Sequence, residues 1–144
     1  MGRERDIDIL ARTIYGEARG ETTEGMEAVA MVIMNRYEAK KWFTGYVLED
    51  GVKTPSIEET CLKNKQFSCW NKNDVNYPKL VKVGKGDKIF ESCLEIAKRA
   101  MDNRLLDFTN NATFYHTKAI KPSWAERHTP CYETGNHLFY NDIK

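Results

Sequence analysis

At 144 residues, with 41% hydrophobic and 30% charged residues, the chain groups with globular proteins rather than disordered or membrane-spanning ones, and it is long enough to bury one core without staples. Lys and Arg number 22 against 21 Asp and Glu, a net charge of +1, so no global basic field argues for nucleic acid, while a neutral polymer is compatible. We expect one domain over residues 1–144 and no membrane span, since no apolar stretch nears the roughly 20 residues a span needs.

In chain order, the apolar spacing of Ile7, Leu10, Ala11, Ile14 and Ala18 predicts a first helix over residues 6–19, with Asp6 as its N-cap and Gly20 as its stop. Thr22 or Thr23 then caps a second helix reaching about residue 40. Its stretch Met26-Glu27-Ala28-Val29-Ala30-Met31-Val32-Ile33-Met34 is apolar nearly all round, which predicts a helix at the centre of the core. Asn35 and Arg36 follow directly, and either end that helix in favourable dipole geometry or sit buried and brace the first helix. Residues 42–54 read as loop. Ser56-Ile57-Glu58-Glu59 matches a capping box and opens a short helix to about Leu62.

Gln66-Phe67-Ser68-Cys69-Trp70-Asn71 reads as strand at its centre, and residues 73–86 as loop. Asp87 caps a long amphipathic helix to about residue 103, whose apolar face includes Ile89, Phe90 and Cys93. Ala112-Thr113-Phe114-Tyr115-His116 is strand-like, residues 122–125 are loop, and Gly135-Asn136-His137-Leu138-Phe139-Tyr140 alternates as a closing strand. The expected class is α+β, mainly helical with a small antiparallel β region. Four cysteines, Cys61, Cys69, Cys93 and Cys131, show no close pair and are expected as reduced, partly buried thiols. The polar start, residues 1–6, lacks the apolar run of a secretory signal. No signal peptide is expected, and cytoplasmic synthesis with release, carriage by a phage and a piece trimmed from a longer protein all remain open.

Glu17 falls at the edge of the first helix's apolar stripe, beside Leu10 and Ile14. A carboxylate set against apolar neighbours is a costly charge, which suits a group that must hold a proton and then donate it. Glu17 is thus nominated as a general acid, against the plainer reading of a solvated carboxylate at a helix end. His116, His128 and His137 with Cys131 invite a zinc reading, but no ligand spacing supports it, so neither a metal nor a cofactor is expected.

Leu10-Ala11-Arg12, Gly16-Glu17-Ala18-Arg19-Gly20-Glu21, Gly25, Ala28-Val29-Ala30, Val32-Ile33-Met34-Asn35-Arg36, Phe67-Ser68-Cys69-Trp70, the 112–116 run and the 135–140 run resemble, in order and over nearly the whole chain, the cell-wall hydrolase family of the spore cortex-lytic type. The resemblance implies a lysozyme-like fold acting on the glycan strands of peptidoglycan, with Glu17 as the catalytic acid. Better-known members resemble lytic transglycosylases, in which one carboxyl group serves as acid and base because the substrate's own C6 hydroxyl attacks. A muramidase would need a second carboxylate across the bond. Glu21 and then Glu24 are the nearest in sequence, and both read as surface residues at a helix end. Ser68, Trp70, Tyr115, His116, Asn136 and His137 match family-like segments and offer stacking faces or polar tips for sugars. The expected protein is a monomer, with a non-catalytic glycan-binding module on the same scaffold as the other reading and a metal-dependent amidase as a weaker one. A spore, phage or wall-remodelling role is left open.

Overall fold

The first helix, α1 (Gly2–Ala18), lies against every other helix and carries the buried stripe Ile9, Leu10, Ala11, Ile14 and Ala18. It is described here in a computed structural model covering residues 2–64 and 66–144. α1 begins before Asp6. That carboxylate instead accepts the backbone N–H of Glu58 at 3.2 Å, in the first turn of α3 (Ile57–Leu62), where Ser56 takes the N–H of Glu59. Two orphan donors of one short helix are thereby satisfied, one by its own cap and one by a neighbour.

The second helix, α2 (Thr23–Ala39), is capped by Thr22 and buries Met26 and residues 28–33, which places it at the centre as its all-round apolar sequence requires. The last long helix, α5 (Lys88–Met101), is capped by Asp87, which accepts from the Phe90 N–H at 2.9 Å, and its Phe90, Cys93, Ile96, Ala97 and Ala100 complete the helical core. Ile89 faces solvent rather than that core.

Several elements depart from the sequence expectation. Residues 42–54 contain a hairpin, β1 (Tyr46–Glu49) with β2 (Val52–Pro55), in antiparallel register Glu49 to Val52. Its two-residue turn is Asp50-Gly51, both with positive φ, 50° and 78°, the geometry that lets a tight turn follow the strand twist. Residues 73–86 include α4 (Tyr77–Lys82), which has Pro78 in its first turn and Leu80 fully buried. The 66–71 segment is not a strand but a single 3-10 turn, Ser68–Trp70. Burial alternates from Phe67 to Trp70 as it would on a strand, but the Trp70 indole N–H donates to the Thr13 hydroxyl of α1 at 2.9 Å, and that bond is what the turn serves.

The late strands form one antiparallel sheet in the order β3 (Phe114–Thr117), β5 (His137–Tyr140), β4 (Tyr132–Thr134). β4, which periodicity did not reveal, pairs with β5 through the tight turn Gly135-Asn136, and residues 123–125 form a 3-10 turn. Phe43, Phe114, Ala125 and Tyr140 make a second apolar cluster beneath the sheet. The four cysteines are free, and burial pushes the Cys61 and Cys93 thiols up to about 12. Among the described residues no helix is long and apolar enough to cross a membrane.

Candidate active site

The C-terminal turn of α1, the β4–β5 turn and the end of β3 enclose a cleft of about 540 Å³, lined among others by Glu17, Arg19, Glu21, Asn76, Asn136 and His137. Glycine makes the approach of elements behind this cleft possible. A Cβ on Gly16 would lie 2.6 Å from Leu80 Cδ2 and 2.9 Å from Cys69 Sγ, so α4 and the 3-10 turn close on α1 only because position 16 has no side chain.

Strand alternation selects what reaches the cleft. Tyr115 and Thr117 share one face of β3, and their partners in register, Phe139 and His137, share the same face of β5. Tyr115 donates its hydroxyl to Glu17 Oε1. Burial, reinforced by the Glu17 carboxylate, pushes the Tyr115 phenol well above its usual range, so it remains a donor at all ordinary pH values. The His137 and Tyr115 rings meet edge to face, with centroids 5.0 Å apart.

Glu21 also turns inward. Its Oε1 accepts the backbone N–H of Asn136 at 3.1 Å and its Oε2 the Asn136 amide at 3.4 Å. Gly135, with φ at 54°, lies beneath it, where a Cβ would come within 2.3 Å of Glu21 Oε1. The expectation of a surface helix-end residue therefore fails for Glu21, because the β4–β5 turn folds over it. Glu24, by contrast, is exposed and accepts from the Tyr132 hydroxyl. His137 is 3% exposed, and its Nδ1 is buried without a hydrogen-bond partner, 3.8 Å from Glu21 Oε1. Burial holds this imidazole below its usual range, which favours the neutral ring.

Asn35 and Arg36 brace the site from behind, and they do so on the strand side. Asn35 Nδ2 donates to Ala112 O at 2.9 Å and Arg36 Nε to Thr113 O at 2.6 Å, at the entrance of β3. Burial lowers Arg36 to about 10, which leaves it charged at neutral pH, with Tyr115 and Glu17 acting in the opposite sense.

Comparison with known proteins places this geometry. The cell wall hydrolase family matches residues 20–140. The chain belongs to that family. The match starts three residues after Glu17, so it leaves the role of that carboxylate to the geometry. Among curated relatives of this cell wall hydrolase, the spore cortex-lytic enzyme of Bacillus subtilis is 61% identical over 31 residues, 22% of this chain and 10% of that protein. The spore cortex-lytic enzyme of Oceanobacillus iheyensis is 58% identical over 33 residues, 23% of this chain and 12% of that protein. The matched stretch thus spans only about a tenth of those longer relatives. In structure, the catalytic domain of the germination-specific lytic transglycosylase SleB from Bacillus anthracis superposes with a TM-score of 0.68 at 20% identity, covering 95% of this chain and 94% of that one. The SleB catalytic domain of Bacillus cereus gives 0.65 at 20% identity, covering 95% and 90%. At this identity the likeness speaks for the fold, which is the α+β, lysozyme-like one expected.

Of the residues nominated from sequence, the fold brings Glu17, Tyr115, Asn136 and His137 together. Ser68 is exposed on the 3-10 turn, and Trp70 is half-buried with its indole committed to Thr13. His116 points to the opposite face of β3, where its ring stacks on Tyr140 and its Nε2 lies 2.8 Å from the Tyr140 hydroxyl. Sequence reasoning assigned no chemistry to Arg19, Asn76 or Thr117. For Thr117 the signal was available, since it lies two residues from Tyr115 on the same strand face. Among the described residues no three His, Cys, Asp or Glu side chains gather as a metal site would require.

Proposed function

We propose that this chain is the catalytic domain of a peptidoglycan-cleaving glycosidase, acting as a lytic transglycosylase with Glu17 as its acid and base. The observation that carries the reading is the unequal state of the two carboxylates lining the cleft. Glu17 has one oxygen held by Tyr115 and faces the cavity, whereas both oxygens of Glu21 are taken by Asn136. A hydrolase of the two-carboxylate type needs its second group free to act as nucleophile or to activate water. Glu21 is tied to the turn, which favours a mechanism that runs on one carboxyl group. The Bacillus anthracis structure's description as a lytic transglycosylase supports that reading, and the curated relatives' name, spore cortex-lytic enzyme, supports wall cleavage of either kind.

In the reaction, Glu17 gives its proton to the glycosidic oxygen as the bond from the muramic anomeric carbon to that oxygen breaks. The C6 hydroxyl oxygen of the same muramic ring then bonds to the anomeric carbon, and its proton passes to the Glu17 carboxylate, restoring the acid. The product is a 1,6-anhydro-muramic end, with no water consumed. Asn136, His137, Asn76 and Thr117 are placed to contact the sugars, and Tyr115 positions Glu17.

The test is mass spectrometry of soluble fragments released from purified peptidoglycan. Wild type should yield anhydro-muramic ends, and Glu17→Gln, which keeps the shape and loses the proton, should lower their release by at least about a hundredfold. Reducing muramic ends from the wild type would overturn the transglycosylase reading in favour of hydrolysis. Absence of any release from a substrate that a known muramidase cuts would overturn the enzyme reading altogether.

A further inference from the structure

Among the described residues lining the cleft Arg19 is the one cationic side chain, since His137 beside it is held toward its neutral form by burial. Its guanidinium lies over the Tyr15 ring, 5.4 Å from the centroid, a contact that fixes the side chain while leaving its donor edge available. Tyr15 is itself held by Phe90 of α5, edge to face at 6.1 Å. Both carboxylates of the cleft are already engaged by other donors, Glu17 by Tyr115 and Glu21 by Asn136, and among the described residues no carboxylate pairs with Arg19. A guanidinium has five N–H donors in a planar fork suited to a carboxylate, and here it stands in the cleft two residues from Glu17 with none of that fork committed to a described residue.

We propose that Arg19 reads a carboxylate carried on the muramic units of the glycan, so that the enzyme selects acidic strands over neutral ones. The inference rests on the glycan-cleaving reading above and adds to it a specificity-determining residue. The carboxylate has two sources on such strands, the lactyl acid of a muramic residue without a peptide and the acid groups of an attached peptide. Both offer the same bidentate acceptor. A plainer role for Arg19 is to favour the C-terminal end of α1, whose last turn its own backbone N–H closes on Tyr15 O at 3.2 Å. That role would change stability without changing the choice of substrate.

The experiment compares kcat/KM on three preparations of the same strands. One is intact, one is stripped of peptides by an amidase so that the lactyl acid is free, and one has all carboxyl groups converted to neutral methylamides. Wild type should cut at least one of the two acidic preparations, intact or stripped, about tenfold or more better than the methylamidated one, as expected for a charge-assisted pair. Stripped strands cut better than intact ones identify the lactyl acid, which an attached peptide masks as an amide. Stripped strands cut as poorly as amidated ones identify the peptide's acids, and equal cutting of stripped and intact strands, both above the amidated ones, shows that either acid serves. Arg19→Gln should bring the ratio of the favoured acidic strands to the amidated ones close to one, while Arg19→Lys retains part of it and added salt shrinks it for both wild type and Arg19→Lys. Thermal melting of each variant separates this effect from a folding defect. Equal cutting of all three preparations by wild type, or an undiminished preference for the acidic strands in Arg19→Gln, would overturn the proposal. Release from none of the three by wild type would instead overturn the glycan-cleaving reading on which it stands.

Discussion

Tyr115 donates to Glu17 across 98 positions of sequence, and its buried phenol keeps its proton, so one oxygen of the carboxyl group is committed to the protein and the other is left for the substrate. In the proposed reaction that division matters twice. It aims the proton at the glycosidic oxygen, and it steadies the carboxylate that must accept a proton from the C6 hydroxyl. Tyr115→Phe keeps the ring against His137 and Phe139 and removes only the donor. We expect kcat to fall about tenfold to a hundredfold with KM changed little, and the melting transition to move by only a few degrees because water in the open cleft can replace the lost bond. Steady-state kinetics on soluble glycan fragments reads this split. A rise in KM with kcat preserved would mean that Tyr115 binds sugar rather than positioning Glu17.

At the scale of elements, the site depends on how closely α4 and the 3-10 turn approach α1, and Gly16 sets that distance. Gly16→Ala puts a methyl group against Leu80 and Cys69, neither of which has free space to retreat into, since both are buried. Overpacking of this kind costs about 1 to 3 kcal/mol, which for a chain of this size lowers the melting temperature by about 2 to 10 °C. Gly84→Ala is the control, because nothing lies within 4 Å of a Cβ there, and it should leave stability within about 0.5 kcal/mol. Equal melting temperatures for the two variants would show that α4 yields easily. The same contact explains what the sequence withheld. The helices α2, α3 and α5 were legible because each follows its own N-cap, α1 through its apolar stripe although its expected cap Asp6 serves α3 instead, and the strands β3 and β5 because they alternate. Cys69 and Trp70 sit in a turn whose shape is dictated by Gly16 and Thr13, more than 50 residues earlier, so local pattern alone read it as a strand. The inward turn of Glu21 is likewise set by Gly135 and Asn136, which no window around residue 21 contains. The hairpin at Asp50-Gly51 is different, because a local turn signal was present there and the surrounding mixed residues obscured it.

Across the whole molecule, Arg36 stands where the helical core meets the cluster beneath the sheet. Its guanidinium carbon is 4.8 Å from the ring centroid of Phe67 on the helical side and 4.5 Å from that of Phe114 on the sheet side. Two of its nitrogens reach Thr113 O and Gln66 Oε1, at 2.6 and 3.0 Å. Arg36→Lys keeps a positive charge but replaces the planar fork by a single ammonium, which cannot stack on both rings and satisfy both acceptors at once. Leaving one acceptor buried and unpaired predicts a loss of about 2 to 4 kcal/mol, read by urea unfolding. Thr113 precedes Tyr115 by two residues on the same chain, so a shift at the entrance of β3 should also carry the Tyr115 hydroxyl away from Glu17 and lower kcat in the fraction that remains folded. Stability lost with kcat per folded molecule unchanged would show instead that pairing with Phe139 alone positions Tyr115, and that Arg36 joins the two cores without reaching the chemistry.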